Sequence, residues 1–118
     1  MLDIHAWYLY YAILTPTVGS EINKKRPVLV ISEEEINQIL PVVNVLPLTT
    51  RKKGRRVYPN EVLISAGTGG LTNDSIVLCY QIRTLDKSRF IKEIGNIEAL
   101  ELQEEIISAL CFQLGIIK

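Results

Sequence analysis

Apolar residues along the chain fall into short runs separated by turn-forming residues, a spacing that predicts strands over most of the length and one amphipathic helix near the end. Residues 7–14 read Trp-Tyr-Leu-Tyr-Tyr-Ala-Ile-Leu. They are too apolar for a half-solvated strand, and they run into a turn-prone stretch at 15–20. A second strand is predicted at 27–32, where Val28, Leu29, Val30 and Ile31 follow a proline placed where a strand may begin. One helical turn fits 33–39. The third strand, 41–50, alternates until its pattern stops at Thr49. A charged tip at 51–56 around Gly54 then leads into a fourth strand at 57–65, expected to pair with the third as a hairpin.

A fifth strand is predicted over 75–83. Between the fourth and fifth, Gly67-Thr68-Gly69-Gly70 invites a phosphate-loop reading, but no Gly-Lys-Ser/Thr and no helix-forming run follow it, so a flexible connector is expected. Residues 86–90 suit a short helical turn. Asn96 is then the expected cap of a helix reaching Leu114, with Gly115 as its stop. Leu102, Ile106, Ala109, Leu110 and Leu114 form its apolar stripe, and Glu98, Glu101, Glu104 and Glu105 its wet face. Five short strands closed off by one helix predict a mainly β (α+β) fold: a small antiparallel barrel or sandwich with a C-terminal helix packed against it.

With 118 residues and a hydrophobic fraction of 47%, one domain spanning 1–118 is the expectation. Lys plus Arg and Asp plus Glu number 13 each, so net charge gives no argument for a nucleic-acid coat, and distribution has to carry that question. Basic residues crowd at Lys24, Lys25 and Arg26 and again at Arg51, Lys52, Lys53, Arg55 and Arg56, while acidic ones gather at 33–35 and 93–105. The two cysteines, Cys79 and Cys111, sit in apolar runs and read as buried thiols in a reducing compartment. No signal-peptide pattern and no apolar stretch of about 18 residues is present, so a cytoplasmic protein without a membrane segment is expected.

The segment from Pro16 through Gly19-Ser20-Glu21 to Arg26-Pro27 and on through Val28, Leu29, Val30, Ile31 and Ser32 closely resembles the first loop and second strand of MazF/PemK toxins. Three further blocks resemble that family in the same order: Leu46-Pro47-Leu48-Thr49-Thr50, Gln81 to Arg89, and Ile94-Gly95. The resemblance implies an SH3-like barrel, a homodimer, and metal-independent, cofactor-free cleavage of single-stranded RNA held in check by an antitoxin. Its catalytic pair falls on Arg26 and Thr49. Substrate-binding positions implied with it are Ser20, Glu21, Lys24, Lys25, Thr50, Arg51, Lys52, Lys53, Tyr80, Gln81 and Arg83. The chain departs from the family at Trp7-Tyr8, where a Gly-Asp pair is usual, and at Tyr80, where many members carry an acid.

Those residue types suit the chemistry. Cleavage without a metal requires the 2′-hydroxyl to be deprotonated and aligned, and the extra charge on the phosphoryl oxygens to be stabilised. A guanidinium is planar, always charged and matched to two phosphate oxygens, so Arg26 suits electrostatic stabilisation, while the Thr49 hydroxyl suits positioning. Asp86 is expected to cap its turn, His5 to be a surface histidine, and Trp7, Tyr8, Tyr10 and Tyr11 to be core or dimer contacts before base-stacking ones. The partner antitoxin, MazE-like, is expected to be acidic and partly disordered when free, matching the basic groove at 24–26. A competing reading on the same barrel is a CcdB-like toxin that binds an enzyme such as DNA gyrase without hydrolysis, or a relative that binds RNA or antitoxin but does not cut.

Overall fold

The computed structural model describes residues 2–117. Seven strands and two helices follow in the order β1 (Tyr8–Ile13), β2 (Lys25–Val30), α1 (Glu34–Ile39), β3 (Val42–Thr50), β4 (Glu61–Ile64), β5 (Ser75–Leu78), β6 (Arg83–Asp86), β7 (Phe90–Asn96) and α2 (Leu100–Leu114). All strand pairs among the described residues are antiparallel, along the path β4-β5-β3-β2-β1-β7 with β6 beside β3. The expected barrel is thus realised loosely, because β4 and β7 end the path without pairing to each other. No helix among the described residues is long and apolar enough to cross a membrane.

Strand β3 organises the molecule. Its nine residues pair with β2 through 45–47, with β6 through 42–45 and with β5 through 48–50. From Val45 to Leu48 both of its faces are buried, so the alternation of its first half gives way there to a continuous apolar run. Leu9, Leu29, Leu46, Leu48 and Val77 face α2, whose Ile106 and Ala109 complete that core. Tyr10, Ala12, Leu14, Val28, Val30, Val43, Val45 and Leu85 form a second core on the opposite face. Tyr10 is fully buried there; its hydroxyl donates to the Asp3 carbonyl at 3.0 Å, and burial pushes its pKa up to about 12.

Several expected elements shift. Strands β3 and β4 do not form a hairpin, because β5 inserts between them and pairs with both. The predicted fifth strand is interrupted at Cys79–Gln81 by a 3₁₀ turn, which lets its two halves, β5 and β6, follow different stretches of β3. Strand β7 was unread from sequence because two register shifts against β1 break its alternation. It also claims Asn96, paired with Tyr8, so α2 begins at Leu100 without the expected asparagine cap. The far end is as expected: Gly115 takes φ 70°, and Ile116 N–H reaches the Cys111 carbonyl at 2.9 Å while Gly115 N–H reaches that of Phe112. Leu102 and Leu110 pack on the core, whereas Leu114 is exposed. Cys79 is buried, with its thiol pushed up to about 11 by desolvation; Cys111 is only half-buried, and both are free.

The glycine segment is packed, contrary to the flexible connector expected of it. A Cβ on Gly95 of β7 would stand 2.3 Å from the Gly69 carbonyl oxygen, and one on Gly70, at φ +81°, would stand 2.3 Å from that of Ile94. Backbone lies against backbone here, which only glycine permits.

One ion pair is built into this frame. Glu61 opens β4 with its side chain 2% exposed, receiving both guanidinium nitrogens of Arg55 at 2.9 and 2.8 Å and the Tyr58 N–H at 3.1 Å. The guanidinium holds the Glu61 carboxyl below the usual carboxylate range, against a desolvation that acts the other way. A carboxyl with a depressed folded pKa contributes stability that is complete above its unfolded value, near about 4.3, and is lost as pH falls towards the folded value. Glu61→Gln should therefore flatten the acid limb of the stability profile below about pH 5, read by urea denaturation across pH. Arg55→Ala, which strands the carboxylate, should cost on the order of 2–3 kcal/mol at neutral pH, less than for a wholly dry pair because Arg55 keeps part of its surface in water.

Candidate functional site

The β2–β3 ladder stops at Val28 opposite Pro47. Pro27 lacks the N–H that a continuing ladder would use, and the pairing ends there. Continuing the same register by two residues sets position 26 opposite position 49. The side chains meet across the gap, with Arg26 Nη1 donating to Thr49 Oγ1 at 3.4 Å, while Arg26 Nε donates to the Asn23 carbonyl at 2.9 Å. One edge of the guanidinium is thereby fixed. No carboxylate pairs with it among the described residues, so its charge stays available to an anion.

The loop between β1 and β2 is held from below by Gln81. Its Oε1 accepts from Ile22 N–H at 3.2 Å and its Nε2 donates to the Ser20 carbonyl at 3.1 Å. Within the loop, the Glu21 carboxylate accepts from Val18 N–H at 2.7 Å. Lys24 adopts φ 69°, and the Leu14 N–H donates to its carbonyl at 2.9 Å, closing the loop onto β2. Arg83 donates to the Leu14 carbonyl at 3.0 Å and Arg89 to those of Ile13 and Thr15. Gln81, Glu21 and Arg83 thus shape the loop around Arg26, and Ser20 contributes its backbone. Asp86 caps its turn as expected, accepting from Ser88 N–H at 2.9 Å, and His5 pairs at the surface with Glu34 at 2.8 Å.

An open groove of about 450 Å³ borders the parting of β2 and β3. Arg26 and Thr49 line its rim, together with Lys25, Thr50, Pro27 and Leu48. Sequence reasoning missed the rest of its wall: Tyr11 of β1, Lys92 to Ile94 of β7, and the 70–75 segment with Thr72, Asn73 and Ser75. Tyr11 stands opposite Pro27 on one side and Lys92 on the other, and the Lys92 ammonium lies 5.4 Å from its ring centroid. Strand alternation directs Tyr11, Lys25, Pro27, Leu48 and Thr50 to one face of the sheet and Arg26 with Thr49 to the other. The groove and the cationic pair therefore meet at the mouth from its two sides.

Other expected positions lie elsewhere. Tyr80 is not brought to this groove; it stands with Tyr58, Phe112 and the Arg55–Glu61 pair in a second, shallower cleft. The 3₁₀ turn at Cys79–Gln81 is the reason, since it rotates successive side chains away from strand alternation and leaves Gln81 on the loop side. In the tip, Arg51 Nε is tied to the Arg55 carbonyl and Arg56 lies over the Tyr58 ring, while Lys52 and Lys53 are exposed. Among the described residues, no group of three or more His, Cys, Asp or Glu is placed to hold a metal ion.

Residues 6–114 match the family model described as PemK-like, MazF-like toxin of type II toxin-antitoxin system. The chain is 36% identical over 109 residues, 92% of each sequence, to the endoribonuclease EndoA of Bacillus subtilis (strain 168). In structure it resembles MazF (Form-I) from Deinococcus radiodurans, with a TM-score of 0.82 at 30% identity over 98% of this chain and all of that one. The MazE-MazF complex (Form-II) from the same organism matches with a TM-score of 0.75 at 29% identity, covering 99% of this chain and 100% of the other.

Removing the Gln81 amide breaks both of its contacts to the 20–22 segment. Gln81→Ala should speed amide hydrogen exchange at Ile22 about 5- to 10-fold while lowering global stability by no more than about 1 kcal/mol.

Proposed function

This chain belongs to the PemK-like, MazF-like toxin family of type II toxin-antitoxin systems, and from that premise we propose that it is an endoribonuclease cutting single-stranded RNA at the Arg26–Thr49 pair. The observation that carries the assignment is the 3.4 Å contact between a guanidinium with no acidic partner among the described residues and a threonine hydroxyl, just past the end of the ladder at Pro27. A phosphodiester seated there meets a fixed positive charge and a hydroxyl within reach of its ribose.

In the proposed reaction, the 2′-hydroxyl loses its proton and its oxygen attacks the adjacent phosphorus, and the bond to the 5′-oxygen breaks as that oxygen takes up a proton. The products are a 2′,3′-cyclic phosphate and a 5′-hydroxyl. Arg26 stabilises the charge that accumulates on the non-bridging oxygens, and the hydrogen bond to Asn23 holds the guanidinium in place before the substrate arrives. Thr49 orients the attacking oxygen, a contribution that depends on geometry. Charge stabilisation from the guanidinium lets the reaction proceed without a metal ion. Exposed Lys24, Lys25, Lys52 and Lys53 are assigned to the flanking phosphates.

We treat residues 1–118 as one toxin domain acting in the cytoplasm, where messenger RNA lies and where Cys79 and Cys111 stay reduced. An acidic antitoxin segment, MazE-like, would compete with RNA for the same cations, as the similarity to MazE-MazF complexes supports. A homodimer is the expected assembly. Exposed Leu100, Phe112 and Leu114 on α2, followed by Ile116 and Ile117, are residues that a second copy would cover. Identity of 36% to an endoribonuclease supports hydrolysis over the gyrase-binding alternative.

Incubation of purified protein with single-stranded RNA in excess EDTA should yield fragments with 5′-hydroxyl ends. Arg26→Ala should lower kcat by about 10²–10³-fold with unchanged thermal stability, and Thr49→Ala by about 10-fold or more. Intact RNA after prolonged incubation with wild type would defeat the assignment.

A further inference from the structure

The groove beside the cationic pair has the composition of a base-binding site. Its lining includes the half-buried ring of Tyr11 beside Pro27, apolar surface that a planar heterocycle covers well, over the buried side chains of Leu48 and Leu71. Around this surface stand Thr50, Thr72, Asn73 and Ser75, which supply hydroxyl and amide groups at the rim. Asn73 donates through Nδ2 to the Thr72 hydroxyl at 3.3 Å, and its Oδ1 has no partner among the described residues, leaving an acceptor open to the edge of a ligand. Lys25, Arg26 and Lys92 border the same space, with Glu93 as the one acid in its lining. The volume, about 450 Å³, lies within the range of small-molecule pockets, about 300–1,000 Å³.

Apolar floor, polar rim and flanking positive charge together fit a nucleobase with its phosphate better than a peptide side chain, and the groove shares its rim with Arg26 and Thr49. We infer that this groove holds the base of one nucleotide adjacent to the scissile phosphate, stacked on Tyr11, and that Tyr11 and Lys92 thereby set part of the sequence preference of cleavage. The inference rests on the nuclease reading above. The ring lies at the mouth of the sheet, one residue from the position opposite Arg26, so a chain with its phosphate on the guanidinium brings a neighbouring base over the groove. Lys92 stands over the ring in the free protein and turns to the phosphate of the stacked nucleotide when RNA occupies the site.

Tyr11→Leu and Tyr11→Phe separate stacking from the phenol and from packing, since phenylalanine keeps the ring. Steady-state cleavage and sequencing of 5′ ends from a random RNA pool should show Tyr11→Leu raising KM about 10-fold, relaxing base choice at one position flanking the cut and leaving kcat within about 2-fold. Tyr11→Phe should behave as wild type, and Lys92→Met should raise KM about 3-fold with a shallower salt dependence. Binding of oligonucleotides carrying a 2′-deoxy sugar at the cut, titrated by fluorescence anisotropy, reads the same groove without chemistry. Failure of the nuclease reading appears as wild type cutting no RNA. Failure of the inference appears as wild type cutting while Tyr11→Leu, folded by circular dichroism, keeps its KM, oligonucleotide affinity and base preference. Unchanged RNA parameters with weakened inhibition by antitoxin would reassign the groove to the protein partner and also overturn the inference.

Discussion

The site depends on where strand pairing between β2 and β3 ends. Through 28–30 the two strands are bound into the centre of the sheet, with Val28 and Val30 on one core and Leu29 on the other. That burial leaves no freedom of register, because a slip of one residue would turn every apolar side chain to the wrong face. The rigid register carries on past the last pair, so positions 26 and 49 face each other although nothing but a 3.4 Å contact joins them. Pro27 ends the ladder without loosening it. A guanidinium and a hydroxyl are thus set by core packing two residues away, and only small adjustments remain for substrate to induce.

Around that opening the chain supports the mouth from three directions. Gln81 holds the loop before β2 through two hydrogen bonds to backbone groups. Arg83 and Arg89 fix carbonyls at 13–15. On the far side, Gly69 and Gly70 press directly on β7, at a separation no side chain tolerates, which places the 70–75 segment against the groove. Gln81 and Arg83, named from the sequence for substrate binding, here hold backbone groups, whereas Arg89 and the glycines are supports that a reading for chemistry passes over.

Much of the fold was legible because apolar runs are long relative to their turns. Strands β1, β2 and β3 and helix α2 follow from Trp7 to Leu14, Val28 to Ile31, the 41–50 run and the 102–110 stripe. Strand β7 was not legible, since two bulges scramble the alternation of Ile91, Lys92, Glu93 and Ile94. Local pattern also could not place β5 between β3 and β4, a pairing decided by tertiary contact. The Arg26–Thr49 pair was visible through the motif blocks, and the geometry joins the two residues. Tyr11 and Lys92 were hidden because one resembles core and the other an ordinary surface lysine; only strand register brings them together. Tyr80, assigned to the substrate through the resemblance, stands in the second cleft because the 3₁₀ turn at Cys79–Gln81 breaks strand alternation.

The pairing of Arg55 with Glu61 bears on how the molecule holds a polyanion. Five cations stand in the tip sequence, yet Arg55 is neutralised, Arg51 is committed to backbone and Arg56 rests on an aromatic ring. Arg51 and Arg56 keep their positive charge in these contacts, and with the exposed Lys52 and Lys53 they can displace condensed counterions from nucleic acid. Ionic strength therefore acts on this tip as on one with a cation fewer, and the salt dependence of its grip on a strand is shallower than a composition-based count of lysine and arginine would forecast.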